Sequence, residues 1–323
     1  MSFNNIIEQP TAIKTILNMI EKDEAAGSYL FLGPDGTGKR TFAMEFAKVL
    51  NCEDVSKDGS CDECVSCKKI IKGNHPDVFD IIPEGPSRSI KIDKARDIIY
   101  QASLKPYEAK KRFFIINNAE SLTIEAQNAL LKILEEPPLN HILILTASNV
   151  MGILPTVVSR CKVIKFNLIK KNRIREFLVE RGFEEKEAVL FSHMSLGSLG
   201  KAVLFKDKDL ISKRDQVLND FFFKKSAILK EASLKAMDKE GVEEALYILL
   251  SWYRDLLVAK FTKDKEGLLN IDRSEEIISY ADRFKKEALE KNISNIVDTI
   301  TFIRKNVNPK IALFNMAIEL KRG

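Results

Sequence analysis

A glycine-rich loop constrains this chain more than any other feature of its sequence. The loop runs from Gly33 to Lys39 (GPDGTGK), follows the apolar run Tyr29–Leu32 and precedes the helix-compatible stretch Phe42–Leu50. Glycines in this context let successive N–H groups face a phosphate at the positive end of a helix, and the lysine reaches the outer phosphates. The residues that we expect to contact a nucleotide are Gly33, Gly36, Gly38, Lys39, Arg40 and Thr41. A glycine turn without a ligand is the alternative.

The groups that normally handle magnesium are replaced in this sequence. Arg40 stands where phosphate loops carry a Ser or Thr hydroxyl, and Thr41 comes one position too late. A later apolar run is followed by Asn117 and Asn118 instead of the acidic residues that hold magnesium and polarise water. We therefore expect weak binding of ATP or ADP and no hydrolysis at this site. Glu120 either substitutes for the missing acid or is a solvated residue at a helix start.

Short apolar runs alternate with segments of helical periodicity up to about Phe166. This alternation predicts an α/β fold with a parallel, doubly wound sheet. The runs are Tyr29–Leu32, Val78–Ile82, Arg112–Ile116, Ile142–Thr146 and Lys162–Phe166. Beyond them the pattern is almost wholly helical, as in 172–181, 241–261, 274–290 and 293–304. The sequence predicts an α/β domain over 1–166, a small helical domain over 167–208 and a larger helical domain over 209–323.

Cys52, Cys61, Cys64 and Cys67 form a C-x8-C-x2-C-x2-C pattern. Closely spaced cysteines let adjacent thiolates turn onto one tetrahedral ion, and four sulfurs leave no position for water. We therefore expect a structural zinc ion, with an iron–sulfur cluster as the alternative. His75 is expected to be a loop residue, because four sulfurs already suffice.

The composition is that of an ordinary globular protein. Lys and Arg number 51 against 46 Asp and Glu, a net charge of +5 that is spread along the 323 residues. Such a balance permits binding to a phosphate backbone without indicating it. No window approaches the roughly 20 apolar residues that span a bilayer, and the first residues have no basic region followed by an apolar stretch. We expect a cytoplasmic location and no membrane partner.

Three longer stretches carry a resemblance to a known family. They are Ala126–Pro138 (AQNALLKILEEPP), Ile142–Asn149 (ILILTASN) and Leu154–Cys161 (LPTVVSRC). Together with the phosphate loop and the four cysteines, they resemble the AAA+ clamp-loader family of bacterial DNA polymerase III, which includes the gamma/tau and delta-prime subunits. The resemblance covers about Ile6–Ala202, and Asn308–Asn315 resembles the end of the family's collar domain. It implies a RecA-like AAA+ domain with a zinc module, a helical lid and a helical collar through which subunits assemble.

The first two stretches can also be interpreted on physical grounds. Thr123 is placed to cap the start of a helix that Pro137 and Pro138 stop, and apolar residues at helical spacing form one core face. Ser148 and Asn149 end a strand of buried type. The resemblance implies that a polar residue here senses the terminal phosphate of a nucleotide.

Two departures and one retained motif resemble the delta-prime type. Asn117 and Asn118 replace the acidic pair, and Gly200 stands where the hydrolysing gamma/tau subunits carry an arginine. The retained motif surrounds Arg160, between Ser159 and Cys161. The resemblance implies that Arg160 acts catalytically in trans, on the ATP of a neighbouring subunit. A solvated loop charge is the alternative for Arg160.

The resemblance also implies partners. They are the gamma/tau and delta subunits of a clamp loader, the sliding clamp transiently, and primer-template DNA inside the assembled ring. Lys105, Lys110 and Lys111 either contact DNA phosphates or belong to a solvated face. Two other functional interpretations stay open: an active ATPase of the gamma/tau type, and a zinc-stabilised scaffold that binds no nucleotide.

Overall fold

The computed structural model of the chain describes residues 6–55, 59–85, 89–223, 239–262, 264–305 and 307–322. Contacts divide the chain into two units, Met1–Arg173 with Gly197–Gly200 and Ile174–Leu196 with Lys201–Gly323. The domain boundaries predicted near residues 166 and 208 stay predictions.

The first unit contains a parallel sheet with helices on both faces. The strands are β1 (Gly27–Leu32), β2 (Val78–Ile81), β3 (Arg112–Ile116), β4 (His141–Ala147) and β5 (Lys162–Lys165), in the spatial order β2-β3-β4-β1-β5. The helices are α1 (Pro10–Glu21), α2 (Lys39–Asn51), α3 (Val65–Ile71), α4 (Ile92–Ser103), α5 (Ile124–Glu135) and α6 (Pro155–Val158). Because every pairing is parallel, the carboxyl ends of the strands meet at one edge of the sheet.

The central strands are apolar on both faces because helices cover both sides of the sheet. Alternate side chains enter two separate cores. Leu30 and Phe114 pack with the buried residues of α4 and α5, whereas Phe31 and Ile115 pack with those of α1 and α2. This double burial explains why the strands appear in the sequence as continuous apolar runs.

The second unit is helical throughout its described part. The remaining helices are α7 (Lys171–Glu180), α8 (Glu185–Met194), α9 (Leu199–Asp207), α10 (Leu210–Leu218), α11 (Lys239–Thr262), α12 (Ser274–Ala281), α13 (Lys286–Arg304) and α14 (Pro309–Arg322). Its core surrounds Trp252, which is fully buried and contacts Phe222 edge-on with 5.6 Å between ring centroids. None of the helices in the described residues is both long enough and apolar enough to cross a bilayer.

The predicted α/β fold, followed by a helical remainder, is confirmed. Each predicted strand is present with ends that differ by no more than two residues. The helical pattern over 274–290 does not form one helix, since α12 ends at Ala281 and α13 begins at Lys286. Phe284 lies in the interruption and packs on Phe222, with 6.0 Å between centroids. The aromatic contact accounts for the break that periodicity alone does not indicate.

A buried ion pair fastens the segment before β3 to the start of β2. The Asp77 carboxylate, which is fully buried, accepts N–H bonds from Tyr107, Glu108 and Ala109 at 2.8–2.9 Å and pairs with Arg112 at 2.7 Å. Burial opposes the charge on Asp77, but the N–H donors and the guanidinium outweigh it and lower its pKa to about 2.

We expect Asp77→Asn to lower the free energy of unfolding by about 3–5 kcal/mol, because it leaves the Arg112 charge buried without a counter-charge. Urea unfolding at pH 7 measures this loss. The charged Asp77 stabilises the fold above its ordinary pKa of 3.8, and this contribution disappears as the pH falls through about 2. The difference between the two proteins should therefore shrink between about pH 4 and pH 2. The control is Asp93→Asn, whose side chain is 85% exposed and should change stability little.

Candidate functional site

The phosphate loop joins β1 to α2 with the geometry that its glycines permit. Gly38 caps α2 in the left-handed region (φ +91°), and Gly36 is also left-handed (φ +72°). Both conformations favour glycine because a side chain would strain them. The Lys39 ammonium folds back onto the loop and donates to the carbonyl oxygens of Gly33 at 2.5 Å and Pro34 at 2.8 Å. The loop thus has the expected shape, with its lysine bound to the loop's own backbone.

The segment Gly197–Gly200 approaches the phosphate loop at Gly36. The N–H of Gly200 donates to the Gly36 carbonyl oxygen at 2.9 Å. A Cβ at Gly36 would lie 2.2 Å from Ser198 Oγ, and a Cβ at Gly200 would lie 3.0 Å from Gly36 Cα. The absence of a side chain at position 200, noted in the sequence as a missing arginine, is therefore also what lets the two backbones meet.

The Arg40 guanidinium lies beside the carboxylate of Asp80, a residue that belongs to none of the motifs described above. Its Nε donates to Asp80 Oδ2 at 2.9 Å, and its Nη2 forms an ion pair with the same carboxylate. The Asn117 amide donates to the other oxygen, Oδ1, at 2.7 Å. The carboxylate of Asp80 is thus shared by the residue that replaces the magnesium-binding hydroxyl and by the one that replaces the first acid. Thr41 lies exposed on α2. The sequence does contain a signal for this role, because Asp80 is a charged residue inside the apolar run 78–82.

The carboxylate of Glu120 lies near Ser148 at the end of β4 and close enough to Lys39 of the phosphate loop to influence its charge. Its Oε1 accepts from the N–H and the hydroxyl of Ser148 at 3.0 and 2.5 Å, whereas Oε2 is buried with no hydrogen-bond partner in the described part of the chain. Burial lowers the pKa of Lys39, and the charges of Asp35 and Glu120 oppose that shift. Glu120 is therefore tied to the predicted phosphate-sensing strand end rather than being a freely solvated residue. Asn149 bonds the Ser148 hydroxyl and the Met151 N–H.

Arg160 lies at the opposite edge of the sheet from the phosphate loop. It precedes Lys162, the first residue of β5, which pairs with Tyr29 near the start of β1. The phosphate loop follows the end of β1 at Leu32, so at least about 10 Å of strand separates the two. Its guanidinium contacts Glu135 Oε2 at 2.7 Å through Nε and Nη2, and the side chain is 30% exposed.

The four predicted metal ligands are brought together. The Sγ atoms of Cys52, Cys61, Cys64 and Cys67 all lie within 4.8 Å of one another. Four thiolates around one zinc-sized ion would be about 3.8 Å apart, given metal–sulfur distances of about 2.3 Å. Backbone N–H groups point at three of the sulfurs at 3.3–3.4 Å, an arrangement suited to thiolates. These cysteines could hold a metal ion.

Hydrogen bonds that the N–H groups of Cys64 and Glu63 donate to the Cys61 sulfur lower the pKa of this thiol to about 7. His75 is not part of this cluster, because its Nδ1 accepts from the Asp77 N–H at 3.1 Å and its Nε2 lies 3.3 Å from Ser66 Oγ.

A buried lysine connects the cysteine segment to the helix that follows the phosphate loop. Lys48 of α2 pairs with Glu45 at 2.8 Å and with Asp62, between two of the cysteines, at 2.6 Å. Two of the lysines considered as DNA contacts are also engaged internally. Lys110 donates to the Cys52 carbonyl at 2.6 Å, and Lys111 donates to Asn140 Oδ1 at 3.0 Å.

Comparison with known proteins identifies the family. A family model described as "DNA polymerase III, delta subunit" matches residues 8–170, slightly more than half of the chain, and one described as "DNA polymerase III, delta subunit, C terminal" matches residues 208–322. The chain belongs to the DNA polymerase III delta subunit family. The resemblance inferred from the sequence motifs is confirmed.

Individual relatives include delta-prime subunits. This chain is 27% identical over 326 residues to DNA polymerase III subunit delta' of Bacillus subtilis (strain 168), with 98% of this chain and 97% of the relative covered. It is 29% identical to subunit delta' of Pseudomonas aeruginosa, with 75% of each chain covered. It is 30% identical to subunit tau of Bacillus subtilis, with 83% of this chain and 52% of tau covered, so it spans about half of tau.

Proposed function

We propose that this chain is a non-hydrolysing, delta-prime-type subunit of a clamp loader, and that Arg160 completes the ATP site of a neighbouring subunit. The observation that carries the proposal is the contrast between two sites in one unit. The chain's own phosphate loop lacks the groups that hold magnesium, whereas Arg160 stands at the other edge of the sheet, partly exposed and away from that loop.

The contacts of Arg40 support the absence of hydrolysis. In phosphate-loop ATPases a hydroxyl and an acidic residue hold a magnesium ion that neutralises the developing charge. Here a guanidinium and an amide share the Asp80 carboxylate. Both oxygens of Asp80 are engaged by protein groups, and Asn117 is neither an anion nor a base. The residues present fit a weakly held ATP or ADP better than a reacting magnesium–nucleotide complex.

Arg160 has the chemistry that a trans-acting group requires. A guanidinium is always charged and can fork two hydrogen bonds onto a transferring phosphoryl group, which stabilises charge that develops in the transition state. Because the strand register separates Arg160 from its own phosphate loop, a second subunit is the natural source of its target.

The helical C-terminal region supports assembly with partners. Apolar side chains remain exposed on α13 and α14, including Phe302 and Ile311, beside a cavity of about 380 Å³. Exposed apolar patches of this kind mark interaction surfaces. We assign this surface to a collar shared with the gamma/tau and delta subunits, in a cytoplasmic ring that loads the sliding clamp onto primer-template DNA.

We assign zinc to the four cysteines. Four sulfurs close the coordination of a tetrahedral ion, so the metal would stabilise the local fold and take no part in chemistry. Lys48, which joins α2 to this segment, gives the metal a structural connection to the phosphate loop.

Metal analysis of the purified protein should find about one zinc per chain, because the four thiols form one closed site. A thiol reagent should react with these cysteines only after a chelator is added. Cys161 serves as an internal control, since burial raises its pKa to about 12 and should keep it unreactive. A metal-free protein with four freely reacting thiols would contradict the assignment of a metal site. If the analysis finds iron instead of zinc, the site holds an iron–sulfur cluster.

The isolated chain should show negligible ATP turnover, since Arg40 and Asn117 replace the groups that hold magnesium. A coupled phosphate-release assay measures this, and nucleotide binding is measured separately with a fluorescent ATP analogue. Turnover typical of an ATPase, lost in Lys39→Ala, would show that the chain is an active enzyme of the gamma/tau type.

Arg160→Ala should fold and assemble normally but reduce DNA- and clamp-stimulated ATP hydrolysis by the reconstituted loader and impair clamp loading more severely. An arginine supplied in trans is worth about 10³–10⁵ in rate at the site that it serves. Arg160→Lys should restore little, because an ammonium lacks the fork. The matched control is Arg175→Ala, which removes a half-exposed guanidinium that also pairs with a glutamate. If Arg160→Ala behaves like this control in a correctly assembled complex, the trans role is wrong.

A further inference from the structure

The Arg160 side chain is held from two directions. Its Nε donates to Oε2 of Glu135 at 2.7 Å, its Nη2 forms an ion pair with the same oxygen at 2.7 Å, and its Nη1 donates to the Thr156 carbonyl oxygen at 3.1 Å. A guanidinium carries five N–H groups. These contacts use at most one N–H of each nitrogen, so each terminal nitrogen keeps at least one N–H. Those two are the number that a forked contact with phosphoryl oxygens requires.

Both supports are attached to fixed elements. Glu135 is the last residue of α5, whose start is capped by Thr123 and whose inner face is buried through Leu130 and Leu134. Thr156 lies in the short helix α6, next to the buried Val157. The positions of the carboxylate and the carbonyl are therefore set by the core of the unit, although Arg160 itself lies at its surface.

The contact between Glu135 and Arg160 has little value for stability. The Glu135 side chain is 57% exposed and that of Arg160 is 30% exposed. Ion pairs of this kind are screened by solvent and contribute little to folding. Their effect on orientation is different, because an unsupported arginine samples many rotamers and must lose that freedom before it can reach a phosphate. A pre-oriented arginine avoids this cost.

We propose that Glu135 is a positioning residue for Arg160: it holds the guanidinium so that the terminal N–H groups stay free for the phosphates of a neighbouring subunit's nucleotide. The inference rests on the proposed trans role of Arg160. Glu135 itself touches no nucleotide.

The experiment uses the complete reconstituted loader and compares the variants Glu135→Ala, Glu135→Gln, Arg160→Ala and the double variant Glu135→Ala/Arg160→Ala. The matched control is Glu136→Ala, which removes the adjacent exposed glutamate. Steady-state kcat and KM for ATP are measured with clamp and primed DNA, after thermal unfolding and assembly have been checked for each variant.

A misplaced guanidinium should slow the neighbouring site at least about 10-fold. A site slowed that much adds little to bulk turnover, so Glu135→Ala should produce about nine-tenths of the fall in kcat that Arg160→Ala produces. KM should be unchanged, because the arginine acts in the transition state. Glu135→Gln should lose less, since its amide oxygen can still accept from Nε. The double variant should equal Arg160→Ala, because Glu135 acts only through Arg160.

The outcomes separate this inference from the proposed function. If Arg160→Ala is without effect, the trans role fails and the positioning role fails with it. If Arg160→Ala is impaired while Glu135→Ala matches Glu136→Ala, only the positioning role is wrong. A double variant markedly worse than Arg160→Ala also overturns it, because Glu135 would then act on something else. A rise in kcat for Glu135→Ala would show that the carboxylate restrains Arg160 instead of presenting it.

Discussion

The parallel pairing of strands that are buried on both faces determines where the polar residues that follow and precede those strands lie. The phosphate loop follows β1, Asn117 follows β3 and Ser148 follows β4, so parallel pairing brings all three to one edge. A shift of register by one residue would turn apolar side chains toward the wrong core, which fixes the strands relative to one another. The same constraint sends Arg160, before β5, to the other edge. The N-terminal unit therefore has chemically different groups at the two edges of its sheet, and the direction of the strands sets which edge each group occupies.

Much of this architecture could be predicted from the sequence because its signals are local. Five apolar runs, a glycine loop and a capped helix each identify themselves within a few residues, and all five strands are present. The cysteine pattern is equally local, and its four sulfurs converge. The interruption between α12 and α13 could not be predicted in this way. It depends on the packing of Phe284 against Phe222, residues that are 62 positions apart in the sequence.

The partners of the functional residues were harder to predict than the residues themselves. Asp80 is separated from Arg40 by forty positions and Glu135 from Arg160 by twenty-five. No periodicity relates such pairs, because tertiary packing alone brings them together. Glu120 illustrates the same limit: the sequence places it beyond a strand end, but only the fold directs its carboxylate to Ser148. The residue types thus indicated which positions depart from the phosphate-loop pattern, and the structure indicates which side chains those residues contact.

The close approach of Gly36 and Gly200 restricts which residues position 200 can carry while the phosphate loop keeps its shape. An arginine introduced at position 200 would bring a Cβ to 3.0 Å from the Gly36 Cα, so the two backbones would have to move apart by a few tenths of an ångström. The Asp80 carboxylate accepts two hydrogen bonds from Arg40 and one from Asn117, so changing either residue removes part of its support. Residues at this end of the sheet are thus coupled through shared contacts, so the effect of changing one of them depends on the identity of the others.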